Sequence, residues 1–341
     1  MTDNHDPGRP GPGPYGGERR SPSWPTPDHA IRRDGLKGSA FEATFAGALS
    51  FARRRYTKDI AAADVVITGI PLDIGTSYRP GARFGPQAVR AASAQLAENP
   101  AFPGGIDPFD VLAVADYGDC AFDYGRGHEI AGAIESHARA IIDKGPMLIS
   151  IGGDHFVTYP LLKAHAAKYG PLALVMFDAH QDTWADDGER LDHGTMITRA
   201  VREGLIDVEH SVQVGIRTIA PETYGIAIID APEAHAEGAR SVAGRIAGLV
   251  GDRVAYLSFD IDCLDPAFAP GTGTPVAGGL ASAEALSMLR RLGAVNFVGM
   301  DLVEVSPPYD HAGITALAGA TIIFDYIAQI VAPRRPGVAG R

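Results

Sequence analysis

Three things are scarce in this 341-residue chain. Cysteine occurs twice, as Cys120 and Cys263. Two thiols build neither a disulfide framework nor a zinc knuckle, and they suit a reducing, cytoplasmic setting. Basic residues are outnumbered, 30 against 41 acidic ones, for a formal charge of −11. That is the opposite of the basic face a nucleic-acid binder presents, and it favours cationic small molecules instead. Uncharged apolar runs of about 18 residues are missing, so no membrane span is expected. Hydrophobic residues still make up 45% of the chain, enough for a sizeable core.

Residues 1–30 hold seven of the 25 prolines and five glycines, with no apolar run and no signal-peptide pattern. Residues 1–35 are therefore expected to form a disordered tail. Gly11, Gly13 and Gly16 spell a GxGxxG there. With no strand before it and prolines inside it, the match has no dinucleotide-binding meaning.

Residues 36–335 read as one domain. Apolar, β-branched runs at Val65–Gly69, Val111–Ala115, Met147–Ile151, Leu172–Phe177, Val212–Gly215, Ile226–Ile229, Val254–Phe259 and Phe297–Met300 alternate with helical, Ala-rich segments. Strands that are apolar on both faces are covered on both faces. The pattern predicts an α/β fold: three layers, α/β/α, around a central, mostly parallel eight-stranded sheet. No interdomain linker and no internal repeat is visible.

Ligands of such sheets bind beyond the carboxyl ends of the strands. Four of those ends are rich in acids and histidines: Gly152-Gly153-Asp154-His155, Asp178-Ala179-His180-Gln181-Asp182, Asp260-Ile261-Asp262 and Asp301-Leu302-Val303-Glu304. On an extended chain, alternate residues point the same way, so Asp178, His180 and Asp182 are expected to converge, as are Asp260 and Asp262. Crowded carboxylates repel unless cations neutralise them. His155, Asp178, His180, Asp182, Asp260 and Asp262 are too many ligands for one tetrahedral ion and fit two ions with shared carboxylates; Mn²⁺, Zn²⁺ and Ni²⁺ all suit this donor set. Cys263 has no activating base nearby and reads as a packing residue.

Gly-Gly-Asp-His (152–155), Asp-Ala-His-Gln-Asp (178–182) and Ser-Phe-Asp-Ile-Asp-Cys-Leu-Asp-Pro (258–266), running into Pro-Gly-Thr-Gly-Thr-Pro (270–275), resemble the three signatures of the ureohydrolase family, which includes arginases and agmatinases. The resemblance spans about residues 60–330. Asp192-His-Gly-Thr-Met196 and Gly299–Pro307 resemble the bacterial agmatinase branch. It implies an arginase-like fold, two Mn²⁺ per chain with Ni²⁺ as the alternative, and the six ligands named above. His155, Asp178, Asp182 and Asp260 would surround one ion; Asp178, His180, Asp260 and Asp262 would supply the shared and second-ion contacts. It also implies a catalytic set: Asp182 to relay a proton, His193 as the loop histidine, and Glu304 to hold a substrate guanidinium. A homo-oligomer, trimer or hexamer, follows from the same resemblance.

The loop Thr183–Asp192 should face the substrate tail. Asp186, Asp187, Glu189 and Asp192 suit a cationic tail, with Arg190 the one dissenting charge. Together with Phe156 where arginases carry serine, this points to agmatine, cleaved to putrescine and urea. The alternatives are another guanidino compound (guanidinobutyrate, guanidine or an alkylated guanidine), a non-catalytic subunit, and a single-zinc deacetylase. Gln181 departs from the commoner threonine.

Overall fold

A computed structural model describes residues 28–39 and 41–334. The GxGxxG match and most of the expected tail lie outside them. Residues 28–35, placed in the tail by composition, make a helical turn, His29–Arg32, with Ala30 buried. The amides of Asp28 and His29 donate to the Glu42 carboxylate.

Among the described residues the sheet has nine strands rather than eight. They are β1 (Arg55–Tyr56), β2 (Val65–Ile70), β3 (Val114–Asp119), β4 (Met147–Gly152), β5 (Ala173–Phe177), β6 (Val212–Ile216), β7 (Ala227–Asp230), β8 (Val254–Asp260) and β9 (Asn296–Val303). Their order is β1-β3-β2-β4-β9-β8-β5-β6-β7, and every pair is parallel. The additional strand, β1, is two residues long and partly exposed, so it carries no apolar run to read. The run expected at Val111–Ala115 splits. Asp107 caps a helical turn that starts at Pro108, and the strand begins only at Val114.

The helices that cover the sheet are α1 (Gly85–Ser93), α2 (Gly127–Ile142), α3 (Thr158–Tyr169), α4 (Met196–Arg202), α5 (Ala231–Val250), α6 (Ser282–Leu289) and α7 (Ile314–Asp325). Helices α2, α3 and α4 pack together on one face; α1, α7, α6 and α5 pack on the other. Alternate strand residues feed the two cores. On β5, Ala173, Val175 and Phe177 face one layer while Leu174 and Met176 face the other. Phe177 stacks on Phe259 of β8 at 5.1 Å, a pair worth about 0.5–1.5 kcal/mol beyond its buried area. The helical stretch Ile314–Arg334 is long and apolar enough to cross a bilayer, yet 72% of its most apolar window is buried inside the protein, as a core helix requires.

Candidate metal centre

The four central strands, β4, β9, β8 and β5 in sheet order, deliver one site from their carboxyl ends. After β4 the chain passes Gly153, where an added Cβ would lie 1.6 Å from the Leu72 carbonyl oxygen, so only glycine fits. Asp154 then caps the turn: its carboxylate accepts from Phe156 N–H at 3.1 Å and from Gly75 N–H at 2.8 Å. His155 follows, fully buried, with its amide donating to Glu304 Oε1 at 2.8 Å.

The His155 ring is oriented from behind. Nε2 lies 2.9 Å from Ser258 Oγ, and Ser258 Oγ donates to Asp301 Oδ1 at 2.7 Å. Asp301 also accepts from Thr158 Oγ1 and Tyr256 OH. The single hydroxyl proton of Ser258 is thus committed to Asp301, so Nε2 carries the ring proton and Nδ1 presents a lone pair. That lone pair lies 2.9 Å from Asp178 Oδ2, 3.0 Å from Asp182 Oδ2 and 3.2 Å from Asp260 Oδ2. Neither His155 Nδ1 nor Asp178 Oδ2 makes a hydrogen bond among the described residues, and both are buried. A lone pair facing three carboxylate oxygens is repulsive; a proton on Nδ1, or a metal cation shared among the four groups, reverses the sign.

A second cluster adjoins the first. His180 Nδ1 is 3.1 Å from Asp262 Oδ2 and 3.4 Å from Asp178 Oδ1. The ligand atoms of His155, Asp178 and Asp182 fall within 4.8 Å of one another, as do those of Asp178, His180 and Asp262. Asp178 belongs to both groups. The donor set, imidazole nitrogen and carboxylate oxygen without thiolate, fits first-row divalent ions.

Electrostatics point the same way. Burial, then the Asp178 charge, pushes Asp182 up to about 6. Burial with Asp262 and Asp178 raises Asp260 well above the carboxylate range. For His180, burial acts downward, but Asp262 and Asp178 overcome it and set the ring at about 12. Carboxylates that resist ionising together, beside imidazoles driven towards cations, are groups in want of positive charge.

The six residues expected to converge do so, though not through the pleat of a strand. β5 stops at Phe177, and His180 N–H folds back onto Asp178 Oδ1 at 2.6 Å. Asp182 takes φ 54°. Asp262 sits in a 3-10 turn, its N–H on Asp260 Oδ1 at 2.8 Å. Aspartates that bond their own downstream amides bring these groups together. Glu304 also has a positive φ, 63°. Such backbone costs about 1–3 kcal/mol per residue and clusters where function demands a geometry.

Glu304 and His193 join the site as a pair. His193 Nδ1 lies 2.8 Å from Glu304 Oε1. Glu304 Oε2 is buried without a partner among the described residues, and the nearby Gly273 has no side chain to cover it: a Cβ there would stand 3.2 Å from Oε2. The glycine-rich loop reaches the cluster through Thr274, whose Oγ1 donates to Asp262 Oδ2 at 3.3 Å.

A cavity of about 500 Å³ opens over this floor, lined among others by Ser77, Asp182, Trp184, Asp192, His193 and Thr274. The acidic loop enters it less than expected. Asp186 is withdrawn into a buried pair with Arg199 at 2.5 Å. Asp187 and Glu189 also stay off the cavity wall, and Asp192 is the one of the four that lines it, with Arg190 3.1 Å away. Gln181 turns aside to accept from Ala220 N–H. Cys263 is buried packing.

Sequence reasoning missed Ser77, Ser258 and Arg217. Ser258 sits two residues before Asp260 on one face of β8, which was a usable signal. Arg217 braces the loops by donating to the carbonyls of Asp262 and Val276, and nothing in its local sequence announces that.

A model of the arginase family matches residues 63–328. An agmatinase of Chromobacterium violaceum is 54% identical over 315 residues, which is 92% of this chain and 97% of that protein. The crystal structure of a hypothetical agmatinase from Burkholderia thailandensis superposes with a TM-score of 0.90 at 56% identity, covering 91% of this chain and 99% of that one. Proclavaminate amidino hydrolase from Streptomyces clavuligerus superposes at 0.79 with 40% identity, covering 85% and 99%.

Proposed function

The chain belongs to the arginase family, and from that premise we propose that it hydrolyses agmatine to urea and putrescine. The observation that carries the reading is the near full-length, 54% identical agmatinase relative. The buried lone-pair arrangement around His155 supports a hydrolytic metal centre, and Asp192 at the cavity wall supports a substrate with a cationic tail.

In this reading His155, Asp178, His180, Asp182, Asp260 and Asp262 hold two Mn²⁺ ions. When bound, such a pair supplies Lewis acidity that makes water a usable nucleophile at neutral pH. The guanidinium carbon is a poor electrophile because its charge is spread over three nitrogens, so the side chains must fix it in place. Glu304 Oε2, buried and unpartnered, accepts from the guanidinium. Asp182, at the floor of the cavity, passes the proton of the attacking water to the leaving amine. His193 supplies a further proton from the loop.

Residues 36–335 form one catalytic domain in this proposal, with the single nine-stranded sheet as support. The buried, unpaired thiols suit the cytoplasm. Phe45 and Ile219, more than 90% exposed, suit a homo-oligomer whose size light scattering would give.

Protein loaded with Mn²⁺ should release urea from agmatine far faster than from arginine; equal or reversed rates reject the substrate assignment. The amidino hydrolase neighbour favours a second reading, another guanidino substrate. A panel of agmatine, guanidinobutyrate and guanidine, crossed with Mn²⁺, Ni²⁺ and Zn²⁺, separates the two. One ion per chain by mass spectrometry rejects the two-metal site.

A further inference from the structure

Ser77 lies on the loop between β2 and α1, and its partners are unusual for an exposed serine. Its N–H donates to His193 Nε2 at 3.0 Å, and its Oγ lies 2.8 Å from the same nitrogen. The loop is anchored on both sides. Gly75 N–H donates to Asp154, and Gly75 O accepts from His193 N–H. Asp73, itself buried, accepts from Gly81 N–H at 2.8 Å and from Arg83 Nε. Ser77 is thereby fixed over the ring, and it lines the cavity.

The two nitrogens of His193 are therefore both engaged. Nδ1 faces the carboxylate of Glu304, an acceptor, so Nδ1 keeps its proton. Any proton that His193 gains or loses must pass at Nε2. The neutral ring accepts there from the Ser77 amide. A protonated ring carries Nε2–H, which an amide N–H cannot receive and the Ser77 hydroxyl can. His193 is held ready to carry that proton. Burial works against the charge, but Glu304, with Asp182 and Asp154 also facing the ring, sets His193 at about 9.

We propose that Ser77 Oγ is the cavity end of a Glu304–His193–Ser77 proton line, and that His193 reaches the substrate through it. This rests on the hydrolytic reading above. Nε2–H passes to Ser77 Oγ as the Ser77 hydroxyl proton passes to the nitrogen of the leaving amine. One N–H and one O–H bond break, one O–H and one N–H bond form, and no electrons change hands. Solvent then returns a proton to Nε2. Ser77 also positions the ring, since its amide selects the Nδ1–H tautomer in the neutral state.

The test compares S77A and S77T with the unaltered enzyme, each loaded with Mn²⁺ and counted for metal. With agmatine, S77A should keep its metal and its KM within a few-fold, while kcat falls about 10²-fold. S77T, which keeps a hydroxyl, should recover most of the rate. Added imidazole buffer should partly restore S77A, which a purely structural role for Ser77 would not allow. A kcat in S77A within twofold of the unaltered enzyme overturns the proposal, and so does S77T as slow as S77A with no buffer rescue. The His193 pKa, followed by NMR of ring-labelled protein, is a separate readout. Loss of the hydroxyl acceptor should lower it in S77A and not in S77T, and an unmoved pKa in S77A overturns the line. If the unaltered protein releases no urea from any guanidino compound, the proposed function fails, and the NMR comparison still decides whether Ser77 holds the Nε2 proton.

Discussion

His155 and His165 are ten residues apart, both fully buried, and opposite in behaviour. His165 lies in α3 against the middle of the sheet, with Tyr256 edge-on at 4.9 Å and its Nδ1 2.7 Å from the Leu161 carbonyl. Burial among apolar groups depresses it to about 4. His155 stands at the carboxyl end of β4, where burial also acts downward but three carboxylates overwhelm it and raise it well above the usual value. Desolvation is common to both. The difference is the company each keeps, and the carboxyl end of the central strands assembles that company.

The sharpest way to break this contrast is at the charged end. Asp182→Asn should reduce kcat for agmatine by about 10²–10⁴-fold while the fold survives, because the proposed mechanism makes this carboxylate beside His155 the proton carrier. Near-normal turnover would show that the cluster is not the reacting centre. A smaller effect is expected one step back. Asp301→Asn leaves the ligands in place but weakens the hold of Ser258 on His155, so titration calorimetry should show metal affinity about 10–100-fold lower. Unchanged affinity would mean that the buried carboxylate serves only the strand pair.

At the cavity rim the effect should shrink again. Asp192→Asn should raise KM for agmatine by about fivefold, in keeping with a partly exposed ion pair, and leave KM for a guanidine without the second amine unchanged. Equal changes for both substrates would remove Asp192 from tail recognition.

At the apolar end, His165→Gln should leave agmatine turnover alone and alter only the acid limb of stability. The folded ring titrates at about 4 and the unfolded one near 6.5, so its stabilisation is present above 6.5 and is lost as pH falls towards 4. Denaturant titrations across that window should show a slope shallower by about one proton, roughly 1.4 kcal/mol per pH unit, in the variant. An identical slope would show that His165 does not stay neutral in the fold.

The same contrast explains what could be read from the sequence. Strands buried on both faces are written as apolar runs, so the central sheet was legible. β1, two residues at the edge, had no such mark. The six candidate ligands were legible because acids and histidines at strand ends have few structural uses. The reason they converge was not, since the turns at Asp178 and Asp260 depend on side chain to backbone bonds rather than on pleat. The fate of Asp186 was hidden too: its partner Arg199 lies 13 residues on, and only the folded loop brings the two together. Ser77 was out of reach altogether, because its meaning comes from a histidine 116 residues away.

One bond also orders events in time. The His155 amide is satisfied by the Glu304 carboxylate, 149 residues later. A ribosome-bound chain that has not yet reached residue 304 therefore holds a histidine and acids from β4, β5 and β8 with that donor open and β9 missing between β4 and β8. A chain cut short before β9 would therefore present the candidate ligands without the carboxylate that closes the floor beneath them.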